Sequence, residues 1–318
     1  MNLTELARLC GCTTSTVSKA FRNSPHLREE TKQRILDTAR EHGITISTEQ
    51  LLRGRCVLVL LPTFNNEVTS RILSNLQKKL MRLGLYMLAA SWEYTPNDVR
   101  QILRIARTVN GLCGILCYSF IEPQHLEALQ TLHVPIITIF QSHGIDCISY
   151  DILGGYRQAV QHLIEHGRRR IGFIGETMTT AKEFCYRQAM AECGMQPDNR
   201  LIFRSALYSS AAGAEGFSAL FSLAEPPDAI LCAYDYIALG VMNSAEAADI
   251  VVPHQLAVIG ADNIKASSTY RLGLTTLASD HDQTADILVE LLLHRIRDPQ
   301  SPPQQITVPW NLIVRETG

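Results

Sequence analysis

From Cys56 onward the chain alternates short β-rich runs with helical patterns, and this alternation restricts the fold more than any other feature. The runs are CVLVLLP, LYMLAAS, GLCGILCY, VPIITIF, RIGFIG, LIFRSAL, DAILCAY, LAVIGAD and GLTTLAS, with helical stretches such as EVTSRILSNLQKKLMRLG and GYRQAVQHLIEHG between them. Nearly continuous apolar strands separated by helices are what parallel sheets covered on both faces require. Roughly ten strands exceed the usual size of one sheet. Two doubly wound parallel-sheet α/β lobes are therefore expected, dividing near Tyr150-Asp151. Ligands of such lobes sit beyond the carboxyl ends of the strands.

Composition narrows the function classes. With 318 residues, 46% hydrophobic and 19% charged, the chain can bury a sizeable core. The formal net charge of −2 hides an asymmetry, since residues 1–55 carry +3 and the remainder −5. Nine cysteines, scattered from Cys10 to Cys232 and often inside apolar runs, read as free thiols of a reducing compartment. Cys10-x-Cys12 and Cys113-x3-Cys117 lack a second Cys or His pair at ligand spacing, so neither a metal nor another cofactor is expected. MNLTELARL has no basic segment leading into an apolar one, and no apolar run approaches spanning length. The expectation is a cytoplasmic protein with no membrane partner. There is no Walker loop, GxGxxG, GxSxG or HExxH, and GFIG at 172–175 is a glycine pair that fits close helix packing. His162, His166 and His254 fall in helix or loop without a nucleophile pattern, so no catalytic residue is assigned.

The basic head reads as three short helices. Asn2 and Glu5 make a capping box for the first, Leu6, Leu9 and Cys10 share its inner face, and Gly11 stops it. Thr13 caps the second, whose apolar stripe is Val17, Ala20 and Phe21. Thr14, Ser15, Ser18, Lys19 and Arg22 then point away from the core, with no acid among them. Ser24-Pro25 breaks the chain, and a third helix runs through REETKQRILDTAREHG with Ile35, Leu36 and Ala39 inward and Gly43 at its end. Helix, tight turn, helix and supporting helix form the helix-turn-helix pattern. Small hydroxyls at the first turn of its second helix bring the backbone close to DNA, donating to phosphates, while Thr14, Ser15 and Lys19 reach base edges. The competing reading is an ordinary solvated helix face. Residues 44–55, ITISTEQLLRGR, hold a Ser47/Gln50 capping box on a helix too short to be stable alone, or form a plain linker.

These residues carry a family resemblance. LTELARLCGCTTSTVSKAFRNSPHLREETKQRILDTAREHG resembles the headpiece of the lactose/galactose-repressor (LacI/GalR) family, departing from it at Cys12, Lys19 and Arg28. YDILGGYRQAVQHLIEHGRRRIGFIG, PPDAILCAYDYIALGVM, LAVIGADNIKASSTYRLGLTTL and ITVPWNLIVRET extend the resemblance over the body, which is similar to periplasmic sugar-binding proteins. It implies base reading by Thr14, Ser15 and Lys19, and phosphate contacts from Thr13, Thr16, Ser18 and Asn23. It implies a hinge that drives Leu52, with Leu51 next, into the minor groove. In the body it places Lys182, Tyr208, Tyr234, Asp235 and Asp262 in the effector site, with Asp262 accepting from sugar hydroxyls; capping of the next turn is the competing role for Asp262. The expected organisation is a head at 1–43, a hinge at 44–55 and a body at 56–318. Its first lobe takes about 56–149 with a segment near 280–305, its second about 150–279 with the C-terminal strand. The function implied is a non-enzymatic DNA-binding regulator, a repressor of a carbohydrate catabolic operon. It would bind double-stranded operator DNA as a homodimer or tetramer under control of a sugar, sugar acid or sugar phosphate. The alternatives are control by a protein partner, or an activator or corepressor-dependent member.

Overall fold

The computed structural model describes residues 3–21, 27–42, 55–64, 66–92, 95–109, 111–118, 121–140 and 144–318. In the head, α1 (Leu3–Leu9), α2 (Thr14–Phe21) and α3 (Glu29–Glu41) pack around Leu6, Ala7, Cys10, Val17, Ala20, Ile35 and Ala39. Gly11, at φ +59°, ends α1: its amide donates to the Arg8 carbonyl and the Cys12 amide to that of Ala7. This paired closure lets the chain turn tightly into α2. Leu9 departs from expectation, being 47% exposed. The inward stripe runs at i, i+3, i+4, i+7 through Leu3, Leu6, Ala7 and Cys10, and Leu9 lies off it.

The chain divides into two compact units, Met1–Ile148 with Asp282–Ile306, and Ser149–His281 with Thr307–Gly318. Beyond the head, the first unit contains β1 (Cys56–Leu61), α4 (Glu67–Arg82), β2 (Tyr86–Ser91), α5 (Pro96–Thr108), β3 (Leu112–Cys117), α6 (Pro123–Gln130), β4 (Ile136–Ile139) and β5 (Cys147–Asp151). Its helix α12 (His281–Arg297) and strand β11 (Gln305–Pro309) return from the far end of the chain. The sheet order is β11-β5-β4-β3-β1-β2, with β1 to β5 parallel. All six residues of β1 and all six of β3 are buried, as central strands covered on both faces must be.

The second unit contains α7 (Ile152–Glu165), β6 (Ile171–Glu176), α8 (Thr180–Glu192), β7 (Ile202–Ser205), α9 (Ser209–Phe221), β8 (Ala229–Cys232), α10 (Asp235–Ala247), β9 (Ala257–Ala261), α11 (Lys265–Thr269), β10 (Thr275–Ala278) and β12 (Asn311–Ile313). Its order is β12-β10-β9-β8-β6-β7, with β12 antiparallel to β10 and the other pairs parallel. Side-chain caps fix the helix starts: Asp151 accepts from the Gly154 amide at 2.8 Å in α7, and Asn66 from the Val68 amide at 2.8 Å in α4. The chain runs outward from β6 to β7 and then returns to β8 on the other side of β6. That reversal opens a crevice at the carboxyl ends of β6 and β8.

Candidate functional site

In the head, Thr13 caps α2, its hydroxyl accepting from the Thr16 amide at 3.1 Å. The two threonine hydroxyls also lie 2.9 Å apart, so Thr16 is held against the cap. Val17 and Ala20 are buried, which fixes the rotation of the helix and leaves Thr13, Thr14, Ser15 and Lys19 exposed, with Ser18 half-buried. No acidic residue occupies α2, so this face offers hydroxyl donors and one ammonium without a competing carboxylate. Such a set suits a polyanion with readable base edges. Asn23 and the hinge with Leu51 and Leu52 lie outside the described residues.

The second unit gathers a compact charged set beyond its sheet. Glu176 ends β6, Tyr234 follows β8 by two residues, and Asp262 directly follows β9. Lys182, in the first turn of α8, reaches across to them. Its ammonium donates to the Ala233 carbonyl at 2.8 Å and lies 3.5 Å from Asp262 Oδ1. It also stands 4.1 Å from the centre of the Tyr234 ring and 5.1 Å from that of Trp310. Burial raises the Asp262 carboxyl while the Lys182 charge and hydrogen bond pull it back, leaving a net rise. Glu176 behaves alike: burial pushes its carboxyl up and the Lys182 charge opposes the shift.

The loop that presents Asp262 is held by its own backbone. Asp262 has φ +106° and Asn263 φ +51°, a left-handed pair costly for residues with a Cβ. Three amide donors pin it: Asp262 to the Leu277 carbonyl at 2.7 Å, Asn263 to the Thr276 hydroxyl at 3.3 Å, and Ile264 to the Asp235 carboxylate at 2.9 Å. The Thr276 hydroxyl donates in turn to the other Asp235 oxygen at 2.6 Å. Asp235 is fully buried, and burial pushes its carboxyl up to about 7 against these two hydrogen bonds. Both of its oxygens are thus engaged in holding the Asp262 loop. Tyr208 stands at the start of α9 and is 63% exposed. Arg187, on the same helix as Lys182, is committed to Glu183 at 2.8 Å and Asn199 at 2.7 Å.

The chain is similar to known proteins at both its head and its body. Residues 2–45 match the family described as bacterial regulatory proteins, lacI family, and residues 160–317 match the periplasmic binding protein-like domain. The chain belongs to the lacI family. It is a transcriptional regulator with a helix-turn-helix head, not an enzyme. The HTH-type transcriptional regulator GntR of Pseudomonas aeruginosa is 25% identical over 326 residues, covering 99% of this chain and 95% of that relative. The HTH-type transcriptional repressor PurR of Mannheimia succiniciproducens is 22% identical over 328 residues, covering 98% and 97%. Among solved structures, the lac repressor dimer bound to operator and the anti-inducer ONPF superposes with TM-score 0.72 at 20% identity, over 100% of this chain and 98% of that one. The complex of the transcriptional regulator CelR with cellobiose superposes with TM-score 0.72 at 21% identity, over 100% of both chains. At these identities the superpositions establish the lacI-family fold alone.

Two members of the set escaped sequence reading. Glu176 closes the run RIGFIGE and Trp310 sits between β11 and β12, both marked only by their place at a strand end. A survey of the residue after each strand of the second sheet would have found Glu176.

Proposed function

We propose that this lacI-family regulator is a repressor of a carbohydrate catabolic operon whose hold on operator DNA is controlled by a small sugar-like effector. Thr14, Ser15 and Lys19 read base edges in the major groove. Thr13, Thr16 and Ser18, with Asn23, set the register against phosphates, Leu52 of the hinge enters the minor groove, and two heads of a homodimer read a near-palindromic site. Asp262, with Lys182 and Tyr234, holds the effector, while Tyr208 borders it and Asp235 fixes the Asp262 loop. The observation that carries this reading is the joint occurrence, in one chain, of an acid-free outward face on α2 and a part-buried Lys182–Asp262 pair beyond the second sheet. A charged hydrogen bond from an effector hydroxyl to Asp262 contributes about 1.5–3 kcal/mol. A coupling of about 1–3 kcal/mol between the two sites suffices for control.

Selection of bound fragments from random duplex DNA by the full chain tests the first half. Enrichment of a near-palindrome with two half-sites is expected. Recovery of sequence-independent fragments alone would reject operator recognition.

A further inference from the structure

The charges beyond the second sheet do not cancel. Glu176 and Asp262 are two carboxylates facing one ammonium, and that ammonium is already enclosed. Lys182 has its carbonyl partner at 2.8 Å, Asp262 at 3.5 Å and the Tyr234 ring on a further side, with only 14% of its side chain exposed. Arg315, the other cation tied to the Asp262 loop, donates to Asn263 Oδ1 and the Leu274 carbonyl, both at 2.6 Å. Both cations are thus largely engaged within the fold.

Glu176 is the opposite case. Its residue is 6% exposed, yet its carboxylate accepts no hydrogen bond from any described residue. The backbone on either side is fully used, the Glu176 amide donating to the Thr179 hydroxyl and that hydroxyl donating back to the Glu176 carbonyl. In a residue that is otherwise buried, a carboxylate whose oxygens meet no protein donor is an acceptor open to a ligand. Glu176 ends β6, which pairs with β8, the strand that leads to Tyr234, and the Lys182 charge acts on its carboxyl, so Glu176 borders the same set. The same unit also holds the Tyr156 hydroxyl, which is buried without a hydrogen bond.

We propose that the ligand held by this face carries a protonated amine that donates to Glu176, and that sugar acids and sugar phosphates are rejected by the Glu176–Asp262 carboxylates. This rests on the effector reading above and names the class of compound within it. The amine supplies hydrogen bonds to an acceptor left open and brings the local charge towards neutrality, whereas an anion meets two carboxylates against one largely enclosed ammonium.

The test is a thermal-shift and calorimetric panel on the full chain at pH 7. The probes are glucose, glucosamine, gluconate and glucose 6-phosphate, the matching galactose series, and the non-sugar amines ethanolamine and putrescine. The expected result is stabilisation by an amino sugar that binds at least tenfold tighter than its neutral parent. Glu176→Gln, folded by circular dichroism, brings the amino sugar back to the affinity of the parent, and Glu176→Asp retains part of the preference. Tightest binding by an acid or phosphate, or equal binding of parent and amine, overturns the proposal and leaves the effector reading standing. Stabilisation by the non-sugar amines alone upholds the charge assignment and overturns the sugar scaffold. No shift from any probe overturns both.

Discussion

Helices α9 and α10 meet at two glycines, and adding one methyl group there tests the packing beneath the effector site. A Cβ on Gly213 would overlap the Ile237 carbonyl oxygen and lie 2.9 Å from the Val241 nitrogen and 3.0 Å from the Gly240 Cα. All three neighbours are backbone, so no side chain can swing aside. Gly213→Ala must force the helices apart by on the order of 1 Å in a close-packed interior. Overpacking of this kind costs about 1–3 kcal/mol, with rigid neighbours at the upper end. The better helix propensity of alanine returns about 1 kcal/mol. The net loss is about 2 kcal/mol, or roughly 1 M in urea midpoint for a slope near 2 kcal/mol/M. The two tryptophans provide the assay, Trp92 belonging to the first unit and Trp310 to the second. In a Trp92→Phe background, Trp310 fluorescence should report a midpoint lowered by that amount. Because α10 begins beside Tyr234 and Asp235, ligand binding should weaken in the same variant. An unchanged or raised midpoint would refute the close approach of the two helices.

Other consequences can be checked in the same way. Lys19→Ala should relax preference at one operator position by about 1–3 kcal/mol, measured by competition among single-base operator variants; uniform weakening would make Lys19 a phosphate contact instead. Thr13→Ala removes the cap of α2 and should cost the head about 1 kcal/mol, read as faster amide exchange at Thr16 and Val17. Arg295→Met strips the buried Asp146 carboxylate of its guanidinium partner, bonded at 2.7 and 2.9 Å, and should cost the first unit about 3–5 kcal/mol by Trp92-detected unfolding. Burial raises the Asp146 carboxyl, but hydrogen bonds from Arg295 and the Gln304 amide outweigh it and hold the group below its usual value. Its stabilisation is therefore present above the unfolded pKa of about 3.9 and lost as pH falls through the lower folded value, so the gap between wild type and Arg295→Met should close in acid.

Much of the architecture could be read from residue patterns because the determinants are local. All nine β-rich runs named from sequence contain strands, since each is an apolar segment bounded by turn residues and helical periodicity. The helix-turn-helix was equally readable, its turn fixed by Gly11 and its second start by Thr13. Leu9 was misplaced because a helix of seven residues tolerates two candidate stripes, and only contact with α2 and α3 chooses between them. The site was harder. Asp262 and Tyr234 follow strands and could be found, but the engagement of Arg187 by Glu183 was missed although an i, i+4 pair is a local signal. That Asp235 turns inward to hold the Asp262 loop depends on Thr276, some forty residues away, and no local pattern encodes it. The open acceptor on Glu176 is likewise a property of what fails to surround it in space.

The central claim is that occupancy of the Asp262 site changes the hold of the head on DNA. The most direct measurement is the anisotropy of a labelled operator duplex, taken from the selected sequences, titrated with the full chain at fixed salt with and without the strongest stabilising compound of the panel. The account predicts a shift of at least tenfold in operator affinity, abolished by Asp262→Asn, with unliganded operator binding unchanged in that variant. An operator affinity indifferent to a compound that demonstrably binds would contradict it.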